Sequence, residues 1–196
     1  IHELELAINI LGKYHLEANI YVNYIIANSQ STLTYLKNYG IDENKIKVVY
    51  PIISHKEILN STNNSNLKTL LNIPNDAFVV GTSGTGIDRK GLYTFLQLPG
   101  VIDYLLPKNN FYYLWVGKNV NHEIIEYDLG KLGLKGRIVF VGEQKYPIPF
   151  YKIFDIFISC SKEESFGLSA IEAAALGKPL ICFEKTGGLE EIVKQA

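Results

Sequence analysis

The sequence predicts an α/β domain on a doubly wound parallel sheet, preceded by part of a second unit. Three observations predict it. Five β-rich apolar runs follow residue 76: AFVVGTSG (77–84), YYLWVG (112–117), RIVFVG (137–142), DIFISCS (155–161) and PLICFEK (179–185). Helical patterns fall between most of them, at KGLYTFLQL (90–98), HEIIEYDLGKLG (122–133) and GLSAIEAAALG (167–177). The strand runs are continuously apolar rather than alternating, which marks strands covered on both faces. With right-handed crossovers this is a doubly wound, Rossmann-like sheet, and its expected order is 3-2-1-4-5, counting these five runs in sequence.

The first 55 residues are organised differently. A helix is expected over about 2–22, then a short strand NYIIANS (23–29), a helix SQSTLTYLKNYG (29–40) and a strand KIKVVYP (45–51). Two strands do not make an independent sheet of this class, so residues 1–55 are expected to be the tail of a preceding domain. The Asn- and Ser-rich stretch SHKEILNSTNNSNLKTLL (54–71) suits a connection, and 56–75 is assigned as linker. Residues 76–196 hold the parallel sheet. The chain has no methionine, not even at position 1, and opens inside an amphipathic pattern, so it is read as a fragment.

Composition narrows the function classes. A formal net charge of −1 offers no basic face for a polyanion, which argues against nucleic acid. No apolar run approaches the roughly 20 residues that span a bilayer, and no signal peptide opens the chain. Cys160 and Cys182 sit in apolar strand-like runs and are expected to be buried, reduced thiols of a cytoplasmic protein.

Two loops carry candidate chemistry. GTSGTGIDRKG (81–91) leaves the first strand of the sheet. It is a poor dinucleotide fingerprint, because the third glycine of GxGxxG falls on Arg89 and the next strand ends in Gly117-Lys118 instead of an acid. What remains is a glycine turn through Gly84, Thr85 and Gly86 with Arg89 and Lys90 at a helix start. That pattern fits a phosphate cradle and a tight turn with solvated cations equally well.

The second loop is Phe166-Gly167-Leu168, where the fourth strand gives way to a helix. In order 3-2-1-4-5 the first and fourth strands are neighbours whose crossovers leave in opposite directions. Both glycine loops are therefore expected at the topological switch point, where a diphosphate fits between them. Glu172 lies about one and a half turns into the helix and suits ribose hydroxyls beside that diphosphate. Glu164, before the turn, is expected on the side of whatever the diphosphate carries. The plain alternative is two solvated acids at a helix end; Glu172 fits it poorly, being embedded in SAIEAAAL.

These residues resemble the donor-binding signature of retaining GT-B glycosyltransferases, specifically glycosyltransferase family four. The resemblance rests on SKEESFGLSAIEAAALGKPLICFEKTGGLEEIV (161–193), with a glutamate, seven residues and a second glutamate before the GKP turn. It also rests on ANSQST, GIDENKIKVVYP, the glycine loop with RKG, and LWVG, LGL and RIVFVGE in the same order, and it covers nearly the whole chain. It implies that 76–196 is a nucleotide-sugar donor-binding C-terminal domain, truncated at its end, and that 1–55 ends the acceptor domain.

The resemblance also implies roles. Glu172 holds the ribose and Glu164 faces the transferred sugar. Lys90 and the backbone of Phe166, Gly167 and Leu168 hold the diphosphate, with Gly84, Thr85 and Arg89 in the same loop. The base sits around Gly117-Lys118 and Val141-Gly142. His2 faces the reacting sugar, so Lys90, Glu164 and His2 form the implied catalytic set. The donor is a UDP-, GDP- or ADP-sugar and the acceptor a glycan or lipid-linked glycan, with peripheral membrane contact through the missing domain. No Asp-x-Asp cluster is present, so neither metal nor cofactor is implied.

The chain departs from the family pattern in places. Thr85 stands where many members carry arginine, and Pro99-Gly100 are expected to interrupt the helix after Lys90. As a fragment the chain is expected to be inactive alone. Two rivals share these features: a same-fold sugar-nucleotide epimerase or phosphorylase, and a degenerate nucleotide-sugar binding module.

Overall fold

The computed structural model describes residues 18–54, 56, 58, 66–107, 110–119 and 122–195. The chain forms two compact units. One comprises residues 1–53, 163–168 and 182–196, the other 54–162 and 169–181.

In the first unit a parallel pair, β1 (Ile25–Ala27) and β2 (Ile46–Val48), is joined by helix α1 (Gln30–Asn38). Ile25, Ala27 and Ile46 turn inward and close a small core with Leu36 and Ile41. The start of α1 is encoded locally. Ser29 is extended, and its hydroxyl accepts the Thr32 N–H (3.0 Å), a side-chain N-cap. The helix stops at Tyr39, with Gly40 left-handed at φ +82°. The helix expected over 2–22 lies mostly outside the described residues, which open with a single 3-10 turn at Ala18–Tyr21. The unit is completed by helix α7 (Gly188–Gln195), whose Leu189 is buried.

The second unit carries the parallel sheet. After a short helix α2 (Leu67–Leu70), the chain runs through β3 (Phe78–Ser83), α3 (Leu92–Leu105), β4 (Phe111–Val116), α4 (His122–Lys131) and β5 (Ile138–Phe140). It continues through α5 (Ile148–Lys152), β6 (Ile156–Ser159), α6 (Leu168–Ala175) and β7 (Leu180–Cys182). The strand order is β5-β4-β3-β6-β7, which is the 3-2-1-4-5 order that the sequence predicts. β3 pairs in parallel with β4 along its whole length, Phe78 opposite Phe111 through Ser83 opposite Val116. On its other edge Val80 faces Ile156 of β6. α3 and α4 bury Leu92, Phe95, Leu96, Ile125 and Leu129 against Val80, Tyr113, Trp115 and Ile138. Phe95 meets Trp115 and Tyr113 edge-on, at ring separations of 5.2 and 6.1 Å.

Two expectations fail here. Pro99 does not interrupt its helix: α3 runs through it to Leu105, and Pro99 itself is buried. An interior proline costs about 3 kcal/mol. Burying Phe95, Leu96 and Leu92 on the sheet returns about 1.5–3 kcal/mol each, so the apolar face decides the outcome. Nor are both cysteines buried. Both are free thiols, but Cys160 is buried and Cys182, the last residue of β7, is half-buried.

Candidate functional site

The loops leaving β3, β4 and β5 converge at the carboxyl end of the sheet. They enclose a cavity of about 230 Å³ lined by Ser83, Gly84, Thr85, Gly117, Lys118 and Glu143, among others. The backbone of the first two loops is stitched together. Gly84 N–H donates to the Val116 carbonyl (2.9 Å) and Gly86 N–H to that of Lys118 (2.6 Å). Gly117 N–H in turn donates to the Gly142 carbonyl (2.9 Å), which ties in the loop after β5. The contact is close enough to require glycine: a Cβ on Gly117 would lie 2.0 Å from the Gly84 oxygen, and its φ is +142°. The same oxygen accepts the Trp115 indole N–H (2.8 Å), so the core tryptophan holds the loop in place. Among the described residues, the Thr85 N–H at the tip of the loop donates to no backbone carbonyl.

The cationic end of the loop is a 3-10 turn, Asp88–Lys90. The Lys90 side chain lies beside Gly84, with its Cδ 3.6 Å from where a Gly84 Cβ would stand. The turn is pinned to the segment after β6, where Lys162 N–H donates to the Arg89 carbonyl (2.9 Å) and the Lys162 ammonium pairs with Asp88 (2.7 Å). Asp88 thus engages Lys162.

Tyr151 of α5 lines the same cavity, and its hydroxyl donates to the Ser83 hydroxyl (2.8 Å) at the end of β3. Burial pushes the Tyr151 phenol up to about 12. The Ser83 hydrogen bond pulls the other way, and the Glu172 carboxylate adds to the rise. That coupling locates Glu172, the fifth residue of α6, within electrostatic reach of the Tyr151 hydroxyl. In the loop after β5, the Gln144 amide donates to the Val141 carbonyl (2.6 Å). The lysine of the GKP turn has a different task. Lys178 donates to the Lys152 carbonyl at the end of α5 (2.8 Å), and burial holds its pKa below the ordinary lysine value.

The turn 163–168 belongs to the first unit. Glu164 N–H donates to the Thr186 carbonyl (2.7 Å), and the Glu164 carbonyl accepts the Gly188 N–H (2.8 Å). Phe166 is buried with its ring against Tyr50, centroids 5.7 Å apart. Gly167 is left-handed at φ +87°, within packing distance of Leu189. Among the described residues, the N–H groups of Phe166 and Gly167 donate to no backbone carbonyl.

Of the residues that the sequence singles out, Gly84, Thr85, Gly117 and Lys118 line one cavity, with Lys90, Val141 and Gly142 adjoining it and Glu172 acting on its tyrosine. Arg89 sits in the turn that leads to Lys90. Glu164, Phe166, Gly167 and Leu168 form the turn of the other unit. His2 lies outside the described residues. Sequence reasoning misses Tyr151, Ser83, Glu143 and Gln144. Ser83 ends β3 and Glu143 and Gln144 follow β5, which is the one signal that marks them; Tyr151, inside α5, carries none. Among the described residues no three His, Cys, Asp or Glu side chains gather as a metal cluster.

A glycine loop and a second strand-end loop at the carboxyl edge of a doubly wound parallel sheet define the class: α/β domains of Rossmann-like fold. Solved structures agree. The glycosyltransferase from Rickettsia africae matches with a TM-score of 0.75 at 26% identity, over 90% of this chain and 50% of that one. HepE of Anabaena, solved in complex with UDP and glucose, matches with a TM-score of 0.72 at 25% identity, over 90% of this chain and 48% of that one. Residues 63–196 match the family described as Glycosyl transferases group 1, and the chain belongs to that family. A lipopolysaccharide core biosynthesis glycosyltransferase of Rhizobium meliloti, LpsE, is 31% identical over 60% of this chain and 33% of its own length. A capsular polysaccharide biosynthesis glycosyltransferase of Staphylococcus aureus, CapM, is 30% identical over 61% of this chain and 31% of its own. The chain thus spans about a third of these relatives and about half of the solved structures.

Proposed function

We propose that this chain supplies the donor half of a glycosyltransferase that moves a hexose from a nucleoside-diphosphate sugar to a glycan or lipid-linked acceptor in polysaccharide biosynthesis. The observation that carries the reading is the stitched pair of loops after β3 and β4. They present the Thr85 N–H and the Lys90 side chain at the edge of a cavity of about 230 Å³. A backbone donor and a cation suit diphosphate oxygens, and the cavity beyond, between Gly117, Lys118 and Gln144, suits the base. Glu172, whose charge is felt at Tyr151, accepts from the ribose hydroxyls. Family membership, and relatives named for lipopolysaccharide and capsule biosynthesis, support the polysaccharide context. HepE, solved with UDP and with UDP-glucose, supports a nucleotide-sugar donor.

The reaction breaks the bond between the anomeric carbon and the diphosphate, and negative charge builds on the leaving group. Lys90 and Arg89 stabilise that charge. Glu164 faces the sugar, and configuration is retained as in the family that the sequence resembles. The reaction runs in the cytoplasm without a metal. Thr85, in place of the arginine common in that family, favours a second reading, a binding module that holds the donor without turnover. The test is titration of the chain with UDP, GDP and ADP, followed by Trp115 fluorescence. One of them should bind at low millimolar or better and protect against thermal unfolding. A folded sample that responds to none refutes the donor reading; binding with no sugar transfer in the presence of a glycan acceptor selects the second.

A further inference from the structure

Helix α1 has an unusual lid. Its third N–H, Thr32, is capped locally by Ser29, and the Leu33 N–H donates to the Ser29 carbonyl (3.0 Å) as the first intrahelical bond. The first two N–H groups are taken by a residue more than 150 positions downstream. Gln30 N–H donates to one carboxylate oxygen of Glu191 (3.0 Å), and Ser31 N–H donates to the other. The donors left over at a helix start are thereby satisfied by one long-range anion, which also meets the positive end of the helix dipole.

Glu191 sits one turn into α7, and the residues just before it hold the Glu164 turn. Thr186 and Gly188 bracket Glu164 with two backbone hydrogen bonds, of 2.7 and 2.8 Å. Gly188 is the meeting point. A Cβ there would lie 2.2 Å from the Ser165 carbonyl oxygen and 2.8 Å from Ser29 Cβ, so the turn, α7 and the cap of α1 touch with no side chain between them. Leu189 packs on Gly167. Glu190 accepts the Lys185 N–H (2.6 Å) and pairs with Lys194 (2.6 Å), which stiffens the same segment.

We infer that Glu191 is a positioning residue: its bidentate grip on the first turn of α1 sets where segment 186–189, and with it the Glu164 turn, stands. This rests on the donor reading above, in which Glu164 faces the transferred sugar. Nucleoside diphosphate binding is left alone, whereas the extra affinity contributed by the sugar depends on Glu191.

Two measurements test it, on wild type, Glu191→Ala, Glu191→Gln and Ser29→Ala. The last weakens α1 at its cap while keeping the Cβ that meets Gly188. The first measurement is amide exchange at Glu164 and Gly188. Glu191→Ala should accelerate both, Ser29→Ala should not, and Glu191→Gln, which keeps one acceptor, should fall between. The second is the ratio of affinities for the best-binding nucleoside diphosphate and its glucose conjugate. Glu191→Ala should lower the sugar's contribution about fivefold or more while changing the nucleoside diphosphate less than twofold. Equal effects of Glu191→Ala and Ser29→Ala would make Glu191 a helix cap only and overturn the inference. So would unchanged exchange at Glu164 and Gly188, whether or not any ligand binds. A wild type that binds no nucleotide sugar overturns the donor reading instead.

Discussion

Replacing Gly117 by alanine should part the loops after β3 and β4 and cost a large fraction of the domain's stability. The added Cβ would lie 2.0 Å from the Gly84 carbonyl oxygen and 2.7 Å from its carbon, so the two loops must part by more than 1 Å. Parting moves the oxygen that accepts the Trp115 indole N–H at 2.8 Å. Trp115 is 1% exposed, so no water replaces that acceptor, and an unsatisfied buried donor costs about 1–3 kcal/mol. Holding a non-glycine residue at φ +142° costs about 1–3 kcal/mol more. The expected loss is therefore about 2–6 kcal/mol, against the 5–15 kcal/mol typical of a whole domain. Trp115 is the only tryptophan in the chain, so its emission during urea unfolding reads both the stability and the local hydrogen bond. Gly117→Ala should lower the midpoint, alter native-state emission and weaken nucleoside diphosphate binding together. An unchanged midpoint with wild-type emission would refute the reasoning, because the loops would then have room that the geometry denies them.

Three further outcomes follow from the same geometry. Burial pushes the phenols of Tyr151 and Tyr113 up to about 12 from 10.0, so the folded state holds them protonated. The stability they contribute is complete below pH 10 and is lost as pH rises through about 12. Phenolate absorbance should show Tyr113 and Tyr151 titrating late, and Tyr151→Phe should remove one late step. On the donor reading proposed above, in which Glu172 would accept from the ribose hydroxyls, Glu172→Gln should weaken nucleoside diphosphate binding by about 1.5–3 kcal/mol. Glu164→Gln should spare the nucleoside diphosphate and impair the intact sugar donor, and equal minor losses in the two titrations would sink both assignments. A thiol reagent in native buffer should modify Cys182 and leave Cys160, which is 2% exposed and pushed up to about 12 by burial, untouched until unfolding.

By itself the sequence determined the sheet and its order. Five continuous apolar runs with helical periods between them admit few topologies once crossovers are right-handed, and 3-2-1-4-5 is what forms. It also determined the start of α1, because Ser29 caps Thr32 three residues away. The glycine loop was legible because close backbone approach leaves a mark that no other residue type can. Local chemistry decides all of these, within a few residues of each position.

Only the tertiary structure decided the partners of those loops. Tyr151 stands in IPFYK, a stretch whose composition marks it only as apolar, yet it reaches Ser83 and feels Glu172. Glu191 reads as one of two acids at the head of a helix until the fold brings it to Gln30 and Ser31. Pro99 looks like a helix breaker until the sheet buries the face on which it lies, and Cys182, in a run as apolar as that of Cys160, proves only half-buried. In each case the deciding energy comes from groups tens of residues away or more. Local propensity is worth tenths of a kcal/mol per residue, while burial and charge-assisted hydrogen bonds are worth about 1–3 kcal/mol each, so the longer-range term wins.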